Sequence, residues 1–242
     1  MKKNKTWAIG DIHGAAKALK QVIERSGADV ENDKFIVLGD VTDGWPEVPE
    51  AIEMLMSIKN LVYITGNHDI WSREFLVSPT DPQDQKIVNH YMSWYSQGGQ
   101  ATVEGYKRRP ELLDKHVLFL NESKPYHVDD NRLFIHGGYK PSIPIEEQDE
   151  FDIAWDRWFW MAVRDGRNLK ITYDEVYIGH SPTIRYPKND GSHKQPMNYG
   201  KVWNLDTGAT YTGMLSIMNI DTKEVWQSDV VQTLYPNHKG RN

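Results

Sequence analysis

The sequence predicts an α/β protein in which short buried strands alternate with helices. Apolar runs occur at residues 6–9, 34–38 and 61–64, and each is followed by glycine and polar residues. Between these runs, residues 15–26 and 48–59 carry apolar side chains at helical spacing. Strands and helices that alternate in this way form parallel sheets with right-handed crossovers. The carboxyl ends of the three strands are therefore expected to share one sheet edge.

The composition is that of a globular protein with one sizeable core. The chain has 242 residues, 39% of them hydrophobic, and no repeats or low-complexity linkers, so we expect residues 1–242 to form a single domain. A formal net charge of −6 argues against a general nucleic-acid binder. No apolar run approaches the ~20 residues that cross a bilayer. The charged residues 1–5 are not followed by the apolar segment of a signal peptide, so a cytoplasmic location is expected.

Each of the three apolar runs ends in side chains that bind metals. The first is followed by Gly10-Asp11-Ile12-His13-Gly14, in which the Asp and His have the spacing of metal ligands. Asp40 and Asp43 follow the second run, and Asn67 and His68 follow the third. One Asp-x-His is also typical of an ordinary strand end with a polar turn. Three strand ends that agree, at the edge where open α/β sheets bind ligands, favour a metal site. Because the chain has no cysteine, its metal ligands must be Asp, Asn, Glu or His.

The second half of the chain adds two more strand ends with histidine. A predicted hairpin over residues 126–135 ends in His136-Gly137-Gly138, and a predicted strand over residues 175–178 ends in Gly179-His180. Of the nine histidines, His13, His68, His136 and His180 lie beside glycine at predicted strand ends, and the others are expected at the surface or in the core. Residues 201–226 are predicted to form consecutive antiparallel strands of a second sheet.

The ordered motifs Gly-Asp-x-His-Gly, Gly-Asp-x-x-Asp, Gly-Asn-His-Asp, His-Gly-Gly and Gly-His resemble those of the calcineurin-like metallophosphoesterase superfamily. Within it, they are similar to serine/threonine protein phosphatases of the bacterial and bacteriophage type. The resemblance runs from Asp11 to Ala209. It implies an α/β fold that is a four-layer sandwich of two mixed β-sheets flanked by helices, with a dinuclear metal site between the sheet edges.

Position by position, the resemblance implies which residues hold two divalent metal ions. One ion is assigned to Asp11, His13 and Asp40, and the second to Asp40, Asn67, His136 and His180, so that Asp40 bridges the pair. Mixed Asp, Asn and His ligands accept manganese, iron or zinc, and manganese is the metal we expect.

The resemblance also implies the chemistry, which is phosphomonoester hydrolysis by a hydroxide bound between the two metals. His68 would be the general acid, with Asp43 fixing its tautomer. Asn67, beside the acid, is also expected to contact the substrate.

Two arginines are candidates for binding the phosphoryl group. Trp155-Asp156-Arg157 resembles the Trp-Asn-Arg of phage-type phosphatases, so Arg157 is expected to bind phosphate. The family usually has a second phosphate-binding arginine directly after the position of Asp43, where this chain has Gly44-Trp45. Arg73, on the helix after His68, is the expected replacement.

The sequence is compatible with more than one class of substrate. Phosphoserine or phosphothreonine in proteins is the first expectation. A nucleotide hydrolase, acting on symmetrical dinucleoside tetraphosphates or on RNA-end or cyclic phosphates, is the alternative, with Trp45, Trp71 and Trp94 available to stack a base. A catalytically silent scaffold that binds a partner is disfavoured by the complete ligand set. No membrane partner is expected, and nucleic acid is expected only as a phosphate-bearing substrate. Residues 185–194 form either a loop over the site or an ordinary connection.

Overall fold

The computed structural model describes residues 4–77, 85–187 and 191–241. Two five-stranded sheets, nine α-helices and five short 3₁₀ or π-helical segments make up the regular structure of these residues. The strands are β1 (Thr6–Ile9), β2 (Lys34–Val37), β3 (Asn60–Tyr63), β4 (Tyr126–Asp129), β5 (Arg132–Ile135), β6 (Glu175–Ile178), β7 (Met197–Tyr199), β8 (Val202–Asn204), β9 (Ser216–Asn219) and β10 (Val225–Gln227). The helices are α1 (Ala16–Ser26), α2 (Val48–Met56), α3 (Asn67–Val77), α4 (Gln85–Trp94), α5 (Gln100–Arg108), α6 (Leu113–Asn121), α7 (Glu150–Trp155), α8 (Trp158–Arg164) and α9 (Val231–Leu234). None of these helices has the length and apolar character needed to span a membrane.

The first sheet has the strand order β10-β9-β1-β2-β3. Its strands β1, β2 and β3 are parallel, with Trp7 opposite Phe35 and Phe35 opposite Leu61. Helices α1 and α2 connect these strands in the predicted β-α-β-α-β order. The carboxyl ends of the three strands therefore meet at one edge of the sheet, as the sequence predicts.

The second sheet has the order β4-β5-β6-β8-β7 and is also mixed. The predicted hairpin of β4 and β5 is confirmed, with Tyr126 opposite Ile135. Its turn residues Asp130 and Asn131 have φ values of 49° and 57°, the left-handed region that two-residue hairpin turns require. Strand β6 runs parallel to both β5 and β8, so the ends of β5 and β6 also lie at one edge.

The strands near the end of the chain are divided between the two sheets, so the prediction that they follow one another in a second sheet is wrong. Strand β8 lies in the second sheet, whereas β9 pairs antiparallel with β1 in the first. All four side chains of β9 are buried. Ile217 packs into the core beneath α1 and α2, and Met218 faces the other sheet. A strand with two apolar faces needs a layer on each side, and the position beside β1 provides both.

The two sheets pack face to face and each carries helices on its outer face, so the fold is the four-layer sandwich that the sequence predicts. Ile36 and Met218 of the first sheet meet Phe134 and Tyr177 of the second in the central core. A second core lies between the first sheet and α1 and α2, and a third between the second sheet and α7 and α8. Sheet edges from both halves of the molecule are thereby brought to one place.

Candidate metal centre and catalytic site

Three strand ends of the first sheet bring their polar side chains together. Asp11 and His13 follow β1, Asp40 follows β2, and Asn67 begins α3 directly after β3. All four side chains are buried. His13 Nε2 lies 3.4 Å from Asp40 Oδ2. Buried polar groups from three separate elements are thus within reach of one ion.

The second sheet contributes His136 and His180 to the same place. His136 Nε2 lies 3.3 Å from Asp40 Oδ1 and 3.2 Å from Asn67 Oδ1. The backbone N–H of His180 donates to both carboxylate oxygens of Asp11, at 3.2 and 3.0 Å. The structure therefore brings all six predicted metal ligands together, and their roles stay predictions.

Two groups of possible ligands share one carboxylate. Asp11, His13 and Asp40 form one, and Asp40, His136 and His180 form the other. Within each group the ligand atoms lie within 4.8 Å of one another. Asp40 belongs to both groups, which is the position predicted for a bridging ligand.

The backbone at these residues is held in an uncommon conformation. His13, Asp40, Asp43 and His180 have φ values of 49°, 48°, 69° and 63°. Such left-handed conformations outside glycine concentrate at functional sites, where the surrounding structure maintains the strain. Two glycines allow backbone to approach the ligands, because a Cβ on Gly66 would lie 2.2 Å from Asp40 Oδ1 and one on Gly179 would lie 2.1 Å from Asp11 Oδ1.

Hydrogen bonds to backbone carbonyls orient two of the imidazoles. His13 Nδ1 donates to Thr42 O at 3.1 Å, and His136 Nδ1 donates to Leu38 O at 2.6 Å. Each ring therefore turns its Nε2 towards Asp40, as a metal-binding histidine does. His180 Nε2 is buried and has no hydrogen-bond partner among the described residues. An unpaired ring nitrogen in this position is costly unless a ligand completes it.

The charges in the cluster fit the binding of cations. Burial, followed by the nearby charge of Asp206, raises the pKa of Asp11 well above its usual value. Burial also raises the pKa of Asp206 to about 6. Burial lowers the pKa of His180 well below its usual value, which keeps its ring neutral. Against the effect of burial, the charge of Asp40 raises the pKa of His136 to about 10. The crowded carboxylates thus favour a positive charge beside them, and the donor set fits two divalent cations.

The predicted acid and its orienting carboxylate are in direct contact. His68 Nδ1 donates to Asp43 Oδ2 at 2.6 Å, while the backbone N–H of His68 donates to Asp40 Oδ1 at 2.9 Å. Asp43 is fixed by groups that the sequence did not single out, since Trp94 Nε1 donates to Oδ2 at 2.8 Å and Thr102 Oγ1 donates to Oδ1 at 2.6 Å. Helices α4 and α5 thus hold the carboxylate that orients His68.

The two predicted phosphate-binding arginines lie in different surroundings. Arg157 lines the cleft over the ligands, and its Nη1 donates to the carbonyl oxygen of His180 at 2.6 Å. Arg73 instead pairs with Glu150, with Nη2 2.9 Å from Oε2, and it is absent from the described residues that line this cleft. The structure gives no support to the expectation that Arg73 replaces the missing arginine, because its charge is already neutralised by Glu150.

Several residues that line the cleft were not predicted as site residues. They are Arg185, Asp206, Thr210, Tyr211 and Arg241. Asp206 follows the end of β8, so the strand-end signal that identified the other ligands also applied to it. Thr210, Tyr211 and Arg241 carry no local signal. Arg185 belongs to the segment expected either to cover the site or to form an ordinary connection, of which residues 188–190 lie outside the described part.

The tryptophans considered for base stacking are part of the interior. Trp45 and Trp94 are fully buried, and Trp71 is 6% exposed. Trp45 Nε1 donates to the carbonyl oxygen of Ala209, and Trp71 Nε1 donates to His90 Nε2. None of the three presents a free face, so the suggestion that they stack a base is wrong.

Replacement of Arg73 tests whether it contributes to substrate binding. We expect Arg73→Ala to change kcat/KM by less than about threefold, since it removes a partly exposed ion pair worth roughly 0–1 kcal/mol. Arg157→Ala is the matched variant and should lower kcat/KM by about tenfold or more, since charge-assisted bonds to a phosphoryl group are stronger. Steady-state kinetics on one small phosphoester distinguish the two. A large loss in Arg73→Ala alone would contradict this placement.

Comparison with known proteins identifies the family. The model of the calcineurin-like phosphoesterases matches residues 5–207, which is most of the chain. The chain belongs to the calcineurin-like phosphoesterase family. A metallophosphoesterase from Sphaerobacter thermophilus has a similar fold, with a TM-score of 0.53 and 15% identity over 96% of this chain and 94% of that one. The family implies divalent metal ions, and the two ligand groups described above fit them.

Curated relatives carry two kinds of names. A symmetrical bis(5'-nucleosyl)-tetraphosphatase of Pseudomonas fluorescens (strain SBW25) is 36% identical, with 90% of this chain and 92% of the relative covered. Serine/threonine-protein phosphatase 1 of Salmonella typhimurium is 22% identical, with 88% of this chain and 91% of the relative covered. The chain spans only 56–57% of the length of some other tetraphosphatase relatives, from Pseudomonas entomophila and Pseudomonas putida.

Proposed function

We propose that the chain is a metal-dependent phosphoesterase that hydrolyses phosphomonoesters. The observation that carries this proposal is the position of His68 beside two ligand groups that share Asp40. Its ring is turned to Asp43, its backbone N–H is bonded to Asp40, and its Nε2 points into the cleft that the ligands line. A proton donor is thus placed within one cleft with a cation-binding cluster.

Two divalent cations, when bound, would activate water and stabilise the charge of the phosphoryl group. Manganese is the proposed metal, with iron or zinc as alternatives that the same ligands accept. The chain's residues supply the rest. Asp11, Asp40 and the three predicted histidine ligands would hold the cations, and Asn67 Oδ1, beside His136, would complete the set.

Positioning of the substrate and transfer of the proton fall to charged side chains. Arg157 is fixed by the carbonyl of His180 and offers its remaining N–H groups to phosphoryl oxygens. His68, protonated on both ring nitrogens, would give the leaving oxygen a proton from Nε2, while Asp43 accepts from Nδ1 and stabilises the charged ring. The buried contacts of Trp94 and Thr102 hold Asp43 in this orientation.

Phosphoserine or phosphothreonine in proteins is the proposed substrate class, supported by the similarity to the Salmonella phosphatase. Hydrolysis of symmetrical dinucleoside tetraphosphates is a second candidate, favoured by the 36% identity to a relative of that name. If that candidate holds, residues other than Trp45, Trp71 and Trp94 must contact the base, because these three are buried.

A substrate panel with product analysis tests both candidates. The protein, assayed with added Mn²⁺, is given phosphoserine and phosphothreonine peptides, diadenosine tetraphosphate, a cyclic nucleotide and nitrophenyl phosphate. We expect release of inorganic phosphate from the peptides, while formation of two nucleoside diphosphates would favour the second candidate. Metal content is measured in parallel. A chain that holds metal-ion equivalents near zero and hydrolyses none of these compounds would be a silent scaffold, and the proposal would be wrong.

A further inference from the structure

Arg241 lies in the catalytic cleft although it is far from every other site residue in the sequence. Its Nη1 is 2.8 Å from His68 Nε2, and its Nη2 is 3.4 Å from Gln97 Oε1. The backbone N–H donates to Thr210 O at 3.2 Å, and the guanidinium lies over the ring of Tyr211, 5.6 Å from its centroid. His68, Gln97 and Tyr211 thus surround this guanidinium and hold it beside the proposed general acid.

The hydrogen bond between Arg241 and His68 determines which atom donates and which accepts. A guanidinium has only donors, so His68 Nε2 must accept. The ring then carries its proton on Nδ1, where Asp43 accepts it at 2.6 Å. In this arrangement the nitrogen that faces the cleft is occupied and no leaving group can approach it. His68 can therefore serve as the acid only after Arg241 has moved to another partner and Nε2 has taken up a proton from solvent, so that both ring nitrogens carry one.

Arg241 has no ion-pair partner within the described part of the chain, and its Nε is buried without a hydrogen-bond partner there. Arg157 and Arg185 line the same cleft and likewise have no paired carboxylate in the described part of the chain. Arg73, outside the cleft, is paired with Glu150. Carboxylates of the same cleft, among them Asp11 and Asp40, belong to the ligand groups proposed to bind cations. With cations bound, three guanidiniums outside any ion pair stay available to bind an anion.

A phosphoryl group is a better partner for Arg241 than the histidine nitrogen. A phosphoryl oxygen carries a negative charge that the histidine nitrogen lacks, and a guanidinium can form two parallel N–H···O bonds to a phosphoryl group. Cations held by Asp40 and its neighbours would add positive charge close to Arg241. An arriving phosphoryl group relieves this repulsion and offers oxygens in the same cleft.

We propose that Arg241 is a substrate-binding residue whose guanidinium leaves His68 for a phosphoryl oxygen when substrate enters, and thereby opens His68 to the leaving group. This inference rests on the proposed phosphoesterase function. Arg241 would then have two roles. It would bind the phosphoryl group, and it would keep the leaving group from His68 until substrate is bound. The acid is then exposed only when a phosphoester is in place.

Binding of inorganic phosphate tests Arg241 without turnover. Titration calorimetry with the Mn²⁺-loaded protein compares the original chain with Arg241→Ala, Arg241→Lys and Lys239→Ala. We expect Arg241→Ala to weaken phosphate binding by about 10- to 100-fold, the range of a charge-assisted hydrogen bond. Arg241→Lys keeps the charge without the planar fork and should lie between. Lys239→Ala removes one charge from an exposed position in the same segment and should bind phosphate as the original chain does.

Kinetics add a readout that a purely structural role would not change. On nitrophenyl phosphate, kcat/KM of Arg241→Ala should fall by about tenfold or more, and millimolar guanidinium should restore part of it, since the added cation can occupy the vacated position. Lys239→Ala should show no such rescue. Metal content and unfolding temperature are measured for every variant. If Arg241→Ala unfolds early, the phosphate affinity and kcat/KM of Arg241→Lys decide.

The outcomes separate this inference from the proposed function. Unchanged phosphate affinity in Arg241→Ala and Arg241→Lys, with normal hydrolysis by the original chain, overturns the inference alone. Faster turnover of Arg241→Ala on every substrate also overturns it, because Arg241 would then only block His68. Absence of hydrolysis by the original chain overturns the proposed function, while the phosphate titration still reports whether Arg241 binds the anion.

Discussion

Asp40→Asn is expected to lose bound metal and activity together. The carboxylate of Asp40 lies 3.4 Å from His13 Nε2 and 3.3 Å from His136 Nε2, so it is the charge common to both ligand groups. A neutral amide leaves the mutual repulsion of two dications uncompensated. We expect activity to fall by roughly a thousandfold or more, because the charge stabilisation that metals supply is worth several kcal/mol. Elemental analysis and kinetics on the same sample measure both losses.

The substitution itself is mild for the fold. Asp40 has a φ of 48°, and asparagine is among the few residues that tolerate this region. Asp152→Asn is the matched control, because Asp152 is exposed on α7 and pairs with Lys140. It should keep its metals and its turnover. Near-normal metal content and turnover in Asp40→Asn would contradict the assignment of Asp40 as the bridging ligand.

Local sequence patterns were sufficient to predict the parallel strands of the first sheet and the clustering of the candidate ligands. The apolar runs of β1, β2 and β3 with their intervening helices determine a parallel sheet, and parallel strands bring their carboxyl ends to one edge. Each predicted ligand directly follows a strand or begins the helix after it. Asp11 and His180 thus meet although they come from different sheets. Polar residues at strand ends can be recognised from the local sequence alone, so their prediction needs no knowledge of distant contacts.

The parts that the sequence could not predict depend on such distant contacts. Trp94 reaches Asp43 across 51 positions and Arg241 reaches His68 across 173. Neither contact leaves a periodic pattern or a spacing that can be recognised. The sheet membership of β9 was missed for a related reason, since an apolar run fits the core of either sheet. Its place in the first sheet depends on the antiparallel pairing with β1, which the local sequence does not show.

His68→Asn is expected to affect substrates according to how badly their leaving groups need a proton. General acid catalysis is typically worth about 10²- to 10⁴-fold for a poor leaving group such as the alkoxide of serine. A nitrophenolate departs readily without a proton. We therefore expect His68→Asn to lose activity steeply on phosphoserine peptides and much less on nitrophenyl phosphate. Initial rates on both substrates, with metal content determined for the same preparation, measure the difference.

Asp43→Asn should show the same selectivity in weaker form. The imidazole remains, but the 2.6 Å bond that orients it loses its charge. An amide keeps the bonds donated by Trp94 and His68 if its oxygen takes the position of Oδ2, and its NH2 group can then donate to Thr102 Oγ1, because a hydroxyl also accepts. His127→Asn serves as the control, because the Nε2 atom of His127 lies 3.1 Å from Lys34 Nζ and His127 is not among the site residues. This variant should hydrolyse both substrates at the rates of the original chain.

The pattern across the two substrates separates a proton donor from a ligand. His68 directs its backbone N–H to Asp40 and its ring Nδ1 to Asp43, so its removal should leave both metals bound. Equal losses on the peptide and the aryl phosphate would instead indicate a positioning group. Loss of metal from His68→Asn would indicate a ligand. In either of those cases the proton must come from another group in the cleft, and the release of His68 by Arg241 would have no catalytic consequence.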